Sequence, residues 1–325
     1  MRVIEFHRYG GPEVLLGIEA EIPEPGPGQV GIDVVYAGVN FADLKARAEG
    51  YRVPSLPFRP GLDVSGRVRA LGPGVTDLQV GQEVAAFLPG GGYAEVAVAE
   101  AATVFALPRG VDLRTAATLP TVLPTAHALV HEAGRLRAGE SVLVQGAAGG
   151  VGTVVGQLAR AAGAGAVYGV VSSPDKVAHA QEHGYDRVFT DPSGFAEEVR
   201  RATGGRGVDL VLDPVGGQTL RHGLDVLAPF GRLVSFGNAG SEEPWQVGAA
   251  ALSPLGRSVS ALSVLQLAHT APGALRELAE RSFALVADGT VRLPVTAEFP
   301  LAEAAEAHRL LGSRRSTGKL LLKVG

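Results

Sequence analysis

The run Gly146-Ala147-Ala148-Gly149-Gly150-Val151-Gly152 is the segment whose residue types and spacing best suit chemistry. A short apolar stretch, Ser141 to Gln145, precedes it. After it, Val151, Val154, Val155, Leu158, Ala159 and Ala162 recur at helical spacing. Between a buried strand and a helix, glycines permit a tight turn and let the backbone approach a pyrophosphate. The first free N–H groups of the helix then face the anion. The run therefore reads as a dinucleotide site. The plainer reading, glycines that only serve a turn, leaves the further strand–helix units that follow unexplained.

The end of the second strand discriminates between nucleotides. A carboxylate there would bind a ribose 2′-hydroxyl. This chain instead has Val171-Ser172-Ser173, followed by Asp175 and Lys176. Small hydroxyls and an ammonium suit a 2′-phosphate, which a carboxylate would repel. NADPH is thus favoured over NADH, with a solvated helix lysine as the alternative for Lys176. Three other stretches read as cofactor wall: Asp213-Pro214-Val215-Gly216-Gly217, Phe236-Gly237-Asn238, and Thr125 at the entrance to the strand–helix region. Each could also be packing or a turn.

Other chemistries are less well supplied. The sequence has no cysteine, which removes disulfides, thiol nucleophiles, thiolate zinc sites and iron–sulfur clusters. Histidines recur at helical spacing as His127/His131 and His179/His183, but two ligands do not close a zinc site and no third is evident. Packing or surface histidines are the better reading, and no metal is expected.

The elements that position these residues fall into two textures. Residues 1 to about 110 alternate short strands with Gly/Pro turns such as Pro25-Gly26-Pro27-Gly28 and Gly72-Pro73-Gly74, as in a compact β-rich barrel or sandwich. Within Gln29 to Val39, the side chains of Val30, Ile32, Val34 and Tyr36 fall on one face. No long helical periodicity shows in this part. Leu113 to Gly134 reads as helical. From Ser141, strands at Val167–Val171, Arg187–Phe189, Val208–Leu212 and Arg232–Phe236 alternate with helices, which means a parallel sheet covered on both faces. Ser258 to Val264 is a last strand candidate. Ala271 to Asp288 and Ala302 to Leu311 read as helices, and Gly318 to Val324 ends the chain as a strand. That lone strand needs a sheet, most simply the first one. The expected fold is α/β, with one domain formed by 1–122 and 265–325 and the other, 123–264, inserted.

Composition agrees with this reading. The chain has 325 residues, with 46% hydrophobic and 19% charged, so wholesale disorder is excluded. A net charge of -4, with only four lysines among 29 basic residues, gives no support to nucleic-acid or acidic-membrane binding. No apolar run suits a membrane span, and the N-terminus has charges and glycines where a signal peptide needs an apolar segment. A cytoplasmic location is expected.

Taken together, the chain resembles the zinc-free quinone oxidoreductases, the zeta-crystallin-like group of the medium-chain dehydrogenase/reductase superfamily. The marks are Gly38-Val39-Asn40-Phe41-Ala42-Asp43, Arg47 to Tyr51, Pro60-Gly61-Leu62-Asp63-Val64-Ser65-Gly66, Gly91-Gly92-Tyr93-Ala94-Glu95, the glycine loop, and Val234-Ser235-Phe236-Gly237-Asn238. The resemblance implies a Rossmann dinucleotide-binding domain inserted in a GroES-like β-rich catalytic domain, NADPH as cofactor, and a homodimer. It implies that Asn40, Asp43 and Tyr51 lie in the active-site cleft and that Gly149, Gly150 and Val151 hold the pyrophosphate. It places Lys176 and Arg314 at the 2′-phosphate, Thr125 at the ribose, and Phe236, Gly237 and Asn238 at the nicotinamide side. Metal-dependent relatives carry cysteine where Asn40 stands and a His-Glu pair where Leu62-Asp63 stands. Asp63 therefore reads as a structural hydrogen-bonding group. Two departures stand out: Asp191 where some relatives have a phosphate-binding tyrosine, and His127 in place of an aromatic.

Without a metal, the acceptor's oxygen must be polarised by hydrogen-bond donors such as the Asn40 amide or the Tyr51 phenol. That suffices for a quinone or an enone, where conjugation spreads the charge. Asp43 reads as an orienting group. One rival is an enoyl-thioester or alkenal reductase, which would need a basic grip for a carrier phosphate; Arg47, Arg52 and Arg59 are close in sequence but form no evident cluster. A second rival is a non-catalytic NADPH-binding or RNA-binding crystallin-like protein.

Overall fold

The computed structural model describes residues 1–240 and 245–325. The chain forms two compact units, one of Met1–Pro124, Leu265–Gly289 and Leu293–Gly325, the other of Thr125–Val264 and Thr290–Arg292.

The first unit is built on a seven-stranded sheet. Its order is Val295–Pro300, Lys319–Lys323, Gln29–Val39, Asp63–Leu71, Glu83–Phe87 and Val104–Ala106, with Val96–Glu100 also paired to Gln29–Val39. The terminal strand pairs antiparallel with the long one, Leu320 opposite Val39 and Leu322 opposite Ala37. Its other neighbour is a parallel strand, Val295–Pro300, which the sequence reading did not pick out and whose residues alternate between half-buried and exposed. The core gathers Ile32, Val34, Val64, Val84, Leu320 and Leu322.

Two features here depart from the sequence reading. The alternation that would bury Tyr36 with Val30, Ile32 and Val34 breaks at a register shift between Val34 and Tyr36. The extra residue reverses the phase, so Ala37 and Val39 are buried and Tyr36 is only half-buried. A helix also spans Phe41–Glu49 where only strands and turns were expected. Its buried residues include Asp43 and Arg47 as well as Leu44 and Ala46, so no apolar stripe marks it. Its ends do mark it. The Asp43 carboxylate accepts the Asn40 N–H at 2.9 Å, and Gly50 closes the helix with a left-handed φ of 75°.

The second unit is a six-stranded parallel sheet ordered Arg187–Phe189, Ala166–Val170, Ser141–Gln145, Val208–Asp213, Leu227–Ser235 and Ser258–Ala261. Its central strands Ser141–Gln145 and Val208–Asp213 are largely apolar and buried, as parallel strands under helices must be, while the edge strand Ser258–Ala261 is mostly exposed. Leu143, Val170, Phe189, Phe195, Val211 and Leu233 share one core cluster. The last strand stops at Ala261, and Val264 instead opens the helix Val264–Thr270. The helical stretch before the sheet is broken into Leu113–Ala116, Leu119–His127 and a wider-turned Ala128–Ala133. Pro124 lies inside the middle piece, and a proline there removes one helical hydrogen bond. No helix among the described residues is long and apolar enough to cross a membrane.

Candidate active site

In the second unit the chain leaves Ser141–Gln145 and turns at Gly146, whose φ of 67° favours glycine. The helix Gly150–Ala161 starts immediately, with Gly149 as its N-cap and no side chain bonded to the cap. Its first N–H groups therefore have no intrahelical carbonyl and no capping oxygen, and they carry the positive end of the helix dipole. Gly152 explains the closeness of the packing. A Cβ on Gly152 would lie 2.4 Å from the Gly146 carbonyl oxygen, so only glycine lets the helix sit this near the loop. The Tyr185 hydroxyl, buried below, donates to the Gly152 carbonyl at 2.6 Å and anchors the first turn.

The sheet order reverses direction next to this loop. From Ser141–Gln145 the chain moves outward to Ala166–Val170 on one side and later to Val208–Asp213 on the other. Such a switch point opens a crevice at the carboxyl ends of the strands. Ser172 lies exposed just after Ala166–Val170. Phe236, Gly237 and Asn238 follow Leu227–Ser235, and Phe236 donates its N–H to the Asp213 carbonyl at 2.9 Å. The Asp213 side chain is fully buried. Its Oδ1 accepts the N–H groups of Val215 and Gly216, while Oδ2 has no hydrogen-bond partner. Burial pushes this carboxyl up to about 6.

The remaining cofactor candidates sit in different settings. Lys176, in the single turn Pro174–Lys176, is 7% exposed, so the solvated-helix alternative for it does not hold. Thr125 is buried in Leu119–His127. Arg314 belongs to the first unit, exposed and with a left-handed φ of 57°. Asp191 binds the N–H and hydroxyl of Ser193 at 2.9 and 2.6 Å, so it holds its own turn. The histidine pairs are in contact with one another, with ring centroids 4.6 Å apart for His127/His131 and 4.4 Å for His179/His183. His179 also meets the Thr153 hydroxyl at 2.9 Å. Among the described residues, no three His, Cys, Asp or Glu side chains gather as a metal-binding group.

The first unit holds a cavity of about 820 Å³. Asp43 and Tyr51 both line it, with Phe58, Leu62 and Phe87 as apolar wall and Arg52 and Arg59 among its polar residues. Tyr51 is 42% exposed. Asn40 does not line this cavity. It is buried beside it in a polar cluster that the sequence did not reveal. Its Nδ2 donates to Asp63 Oδ2 at 2.9 Å, and the Lys319 ammonium donates to its Oδ1. Lys319 also donates to Asp63 Oδ2 at 2.8 Å, and the Thr121 hydroxyl donates to Asp63 Oδ1. The ammonium thus selects which end of the Asn40 amide points where.

A second buried group backs Asp43. Tyr93 Oη lies 3.4 Å from Asp43 Oδ2 and 3.1 Å from His308 Nε2. Burial pushes the Asp43 carboxyl up to about 7, despite the N–H groups of Asn40 and Gly61 that favour its charged form. Burial, with Arg47 nearby, pushes His308 down to about 3, so it is neutral near pH 7. The wall of Asp43, Tyr93 and His308 is therefore only partly charged at neutrality.

Comparison with known proteins now decides the family. The pattern of the alcohol dehydrogenase GroES-like domain matches residues 26–109, and that of the zinc-binding dehydrogenase matches residues 150–280. The quinone oxidoreductase of Pseudomonas aeruginosa is 37% identical over 321 residues, 98% of each chain. The chain belongs to the medium-chain dehydrogenase/reductase superfamily. Two further members are similar over their full length. The 2-haloacrylate reductase of a Burkholderia species is 34% identical over 334 residues, 97% of each chain. The Escherichia coli quinone oxidoreductase, crystallised in complex with NADPH, superposes with a TM-score of 0.93 at 32% identity over 100% of both chains. As a member of this superfamily the chain is an oxidoreductase with a GroES-like and a Rossmann-like part.

Within that family frame, sequence reading and structure differ in kind. The glycine loop and the strand ends were legible because backbone requirements mark them. Lys319, Tyr93, His308 and Thr121 were missed. The one available signal was Lys319 itself, a charged residue opening an otherwise apolar terminal strand, where local pattern and fold conflict.

Proposed function

We propose that the chain is an NADPH-dependent, zinc-independent oxidoreductase whose acceptors are quinones. The observation that carries this reading is the cavity bounded by Tyr51, Phe58, Leu62 and Phe87, whose apolar and aromatic wall suits a flat conjugated acceptor. Likeness to quinone oxidoreductases over the full length supports it. When bound, NADPH supplies a hydride, and NADPH, one proton and a quinone balance to NADP⁺ and a hydroquinone.

The chain's own residues would hold the nucleotide as follows. The N–H groups of Gly149, Gly150 and Val151 bind the pyrophosphate, the bare N-cap and the close Gly146–Gly152 approach leaving room for it. Ser172, Lys176 and Arg314 bind the 2′-phosphate, Thr125 the ribose, and Phe236, Gly237 and Asn238 the nicotinamide side. Residues 123–264 form the cofactor domain, and 1–122 with 265–325 the acceptor domain. In the latter, Tyr51 donates a hydrogen bond to the acceptor oxygen and can hold the proton that oxygen takes up. The Asn40 amide, fixed by Lys319, keeps its N–H₂ end as donor. Asp43 orients Asn40 through the backbone N–H it accepts. The two oxygens of Asn40 and Asp63 that could draw a cation are already bonded to the Lys319 ammonium, which is why EDTA is expected to leave activity intact.

The test is a panel of electrophiles at fixed NADPH, followed at the nicotinamide absorbance band. Benzoquinone and naphthoquinone are expected to be reduced faster than crotonyl-CoA. The reverse order would establish the second reading, an enoyl-thioester or alkenal reductase, which the likeness to the 2-haloacrylate reductase favours. Tight NADPH binding with no oxidation by any electrophile would mark a non-catalytic, crystallin-like protein instead. A cytoplasmic homodimer completes the proposal, and sedimentation equilibrium checks the dimer.

A further inference from the structure

The charges around the cavity are unevenly paired. Glu5, Asp43, Arg52 and Arg59 all line it. Arg59 is neutralised, since its Nε donates to Glu5 Oε2 at 2.9 Å. Glu5 is itself buried and also meets His7 at 3.1 Å. Asp43 lies at the buried base, with its oxygens taken by the N–H groups of Asn40 and Gly61 at 2.9 and 3.1 Å. Arg52 differs. Its guanidinium donates to the neutral Gln266 Oε1 at 2.7 Å, and among the described residues no carboxylate pairs with it. A guanidinium has five donor hydrogens, and this contact uses one of them.

Arg52 is also held in place. Its φ is 58°, a left-handed conformation that a residue with a Cβ adopts at a cost. It directly follows the αL cap Gly50 and the wall residue Tyr51, and Val53 N–H closes the turn on the Gly50 carbonyl at 3.1 Å. Gln266 sits on the helix Val264–Thr270, which also gives Leu265 and His269 to the cavity. The Arg52–Gln266 bond therefore ties two sides of the rim together. An uncompensated cation fixed at the rim and a carboxyl at the base order the cavity from positive outside to acidic inside.

We propose that the preferred acceptor carries a single anionic substituent, a carboxylate or sulfonate on the conjugated system, and that Arg52 selects for it. This rests on the reading of the cavity as the acceptor's site. The apolar body packs against Tyr51, Phe58 and Phe87, and the anion stays at the rim with Arg52, away from Asp43. One free guanidinium matches one monoanionic group; a carrier phosphate would need more cations than the cavity leaves unpaired.

The probes are 1,4-naphthoquinone-2-sulfonate and its neutral parent, 1,4-naphthoquinone, with crotonyl-CoA as a polyanionic control. The absence of cysteine means that neither quinone can arylate a thiol. Calorimetric Kd and steady-state KM and kcat would be measured for the wild type, R52A and R52K. We expect R52A to cut the sulfonate-to-parent ratio of kcat/KM at least about tenfold, mostly through KM, and R52K to restore part of it. Added salt should narrow the wild-type ratio. An equal loss for both quinones in R52A, or no loss, overturns the proposal, as does a larger R52A effect on crotonyl-CoA. Arg52-dependent sulfonate binding without NADPH oxidation would support the anion site while refuting the quinone reading. Reduction of the parent with Arg52-independent sulfonate binding would do the opposite.

Discussion

Lys319 Nζ lies 2.8 Å from Asp63 Oδ2, and the two side chains are 3% and 0% exposed. The pair joins the terminal strand to the strand Asp63–Leu71 across Gln29–Val39, which lies between them in the sheet. The close fit at the middle strand is part of this. A Cβ on Gly38 would lie 2.5 Å from the Ala117 carbonyl oxygen and 3.0 Å from both Lys319 Cε and Asp63 Cβ, so glycine is required first by the neighbouring backbone and also leaves the space the pair needs. Lys319 thereby anchors the chain's last strand and orients Asn40 with the same ammonium.

Removing one partner of such a pair leaves a buried charge without compensation. K319M is expected to destabilise the first unit by about 3–5 kcal/mol, and the double variant K319M/D63N by clearly less, because the stranded carboxylate is gone. Denaturant unfolding of the four species of this cycle checks it; equal losses for the single and double variants would show that the ion pair is not what is lost.

The groups behind the cavity predict opposing pH dependences. Asp43 is raised from 3.8 to about 7, so the folded state holds a proton that the unfolded chain releases. Its contribution is full below about pH 4 and is lost as pH rises through about 7. His308 is lowered from 6.5 to about 3, so its contribution is full above about 6.5 and is lost as pH falls through about 3. Between about pH 4 and 6.5 the two oppose each other. D43N should therefore steepen the loss of stability on acidification, and H308Q should remove it, each by an amount on the order of a few kcal/mol across the window. Thermal melts from pH 4 to 8 report both slopes.

Gly152 faces the Gly146 carbonyl at a distance no Cβ tolerates, 2.4 Å. G152A must push the helix Gly150–Ala161 away from its loop, which costs about 1–3 kcal/mol of stability. It should also weaken NADPH binding, by at least about tenfold, because the first-turn N–H groups move with the helix. A nucleotide titration by fluorescence measures this. Unchanged affinity would separate the loop from the pyrophosphate.

K176A should raise the KM for NADPH about tenfold or more, and that for NADH much less, since only the former has a 2′-phosphate to lose a charged partner. Steady-state kinetics with both nucleotides decide the matter. Equal effects on the two would assign Lys176 to structure, in keeping with its burial.

Much of this molecule is written locally. Loop and strand ends around Gly146–Gly152 were legible because a left-handed φ, a bare helix start and short apolar strands leave residue-level marks. The terminal strand could be read as needing a sheet because Leu320, Leu321 and Leu322 have nothing to pack against on their own. Local reading failed at the helix Phe41–Glu49, whose inward face mixes Asp43 and Arg47 with Leu44, and at the bulge after Val34, where one added residue reverses an alternation that looks continuous. It also failed for partners distant in the chain. Nothing near Asn40 announces that a lysine 279 positions later will hold its amide, nor that Tyr93 will meet His308 across 215 positions. Sequence by itself determined the backbone geometry of the glycine loop and the class of each domain, because short-range sterics and hydrophobic period do that work. Only the tertiary structure decided which charges are buried, which are paired and which, like Arg52, have no carboxylate partner among the described residues, because desolvation and pairing depend on what the whole fold brings within a few ångströms.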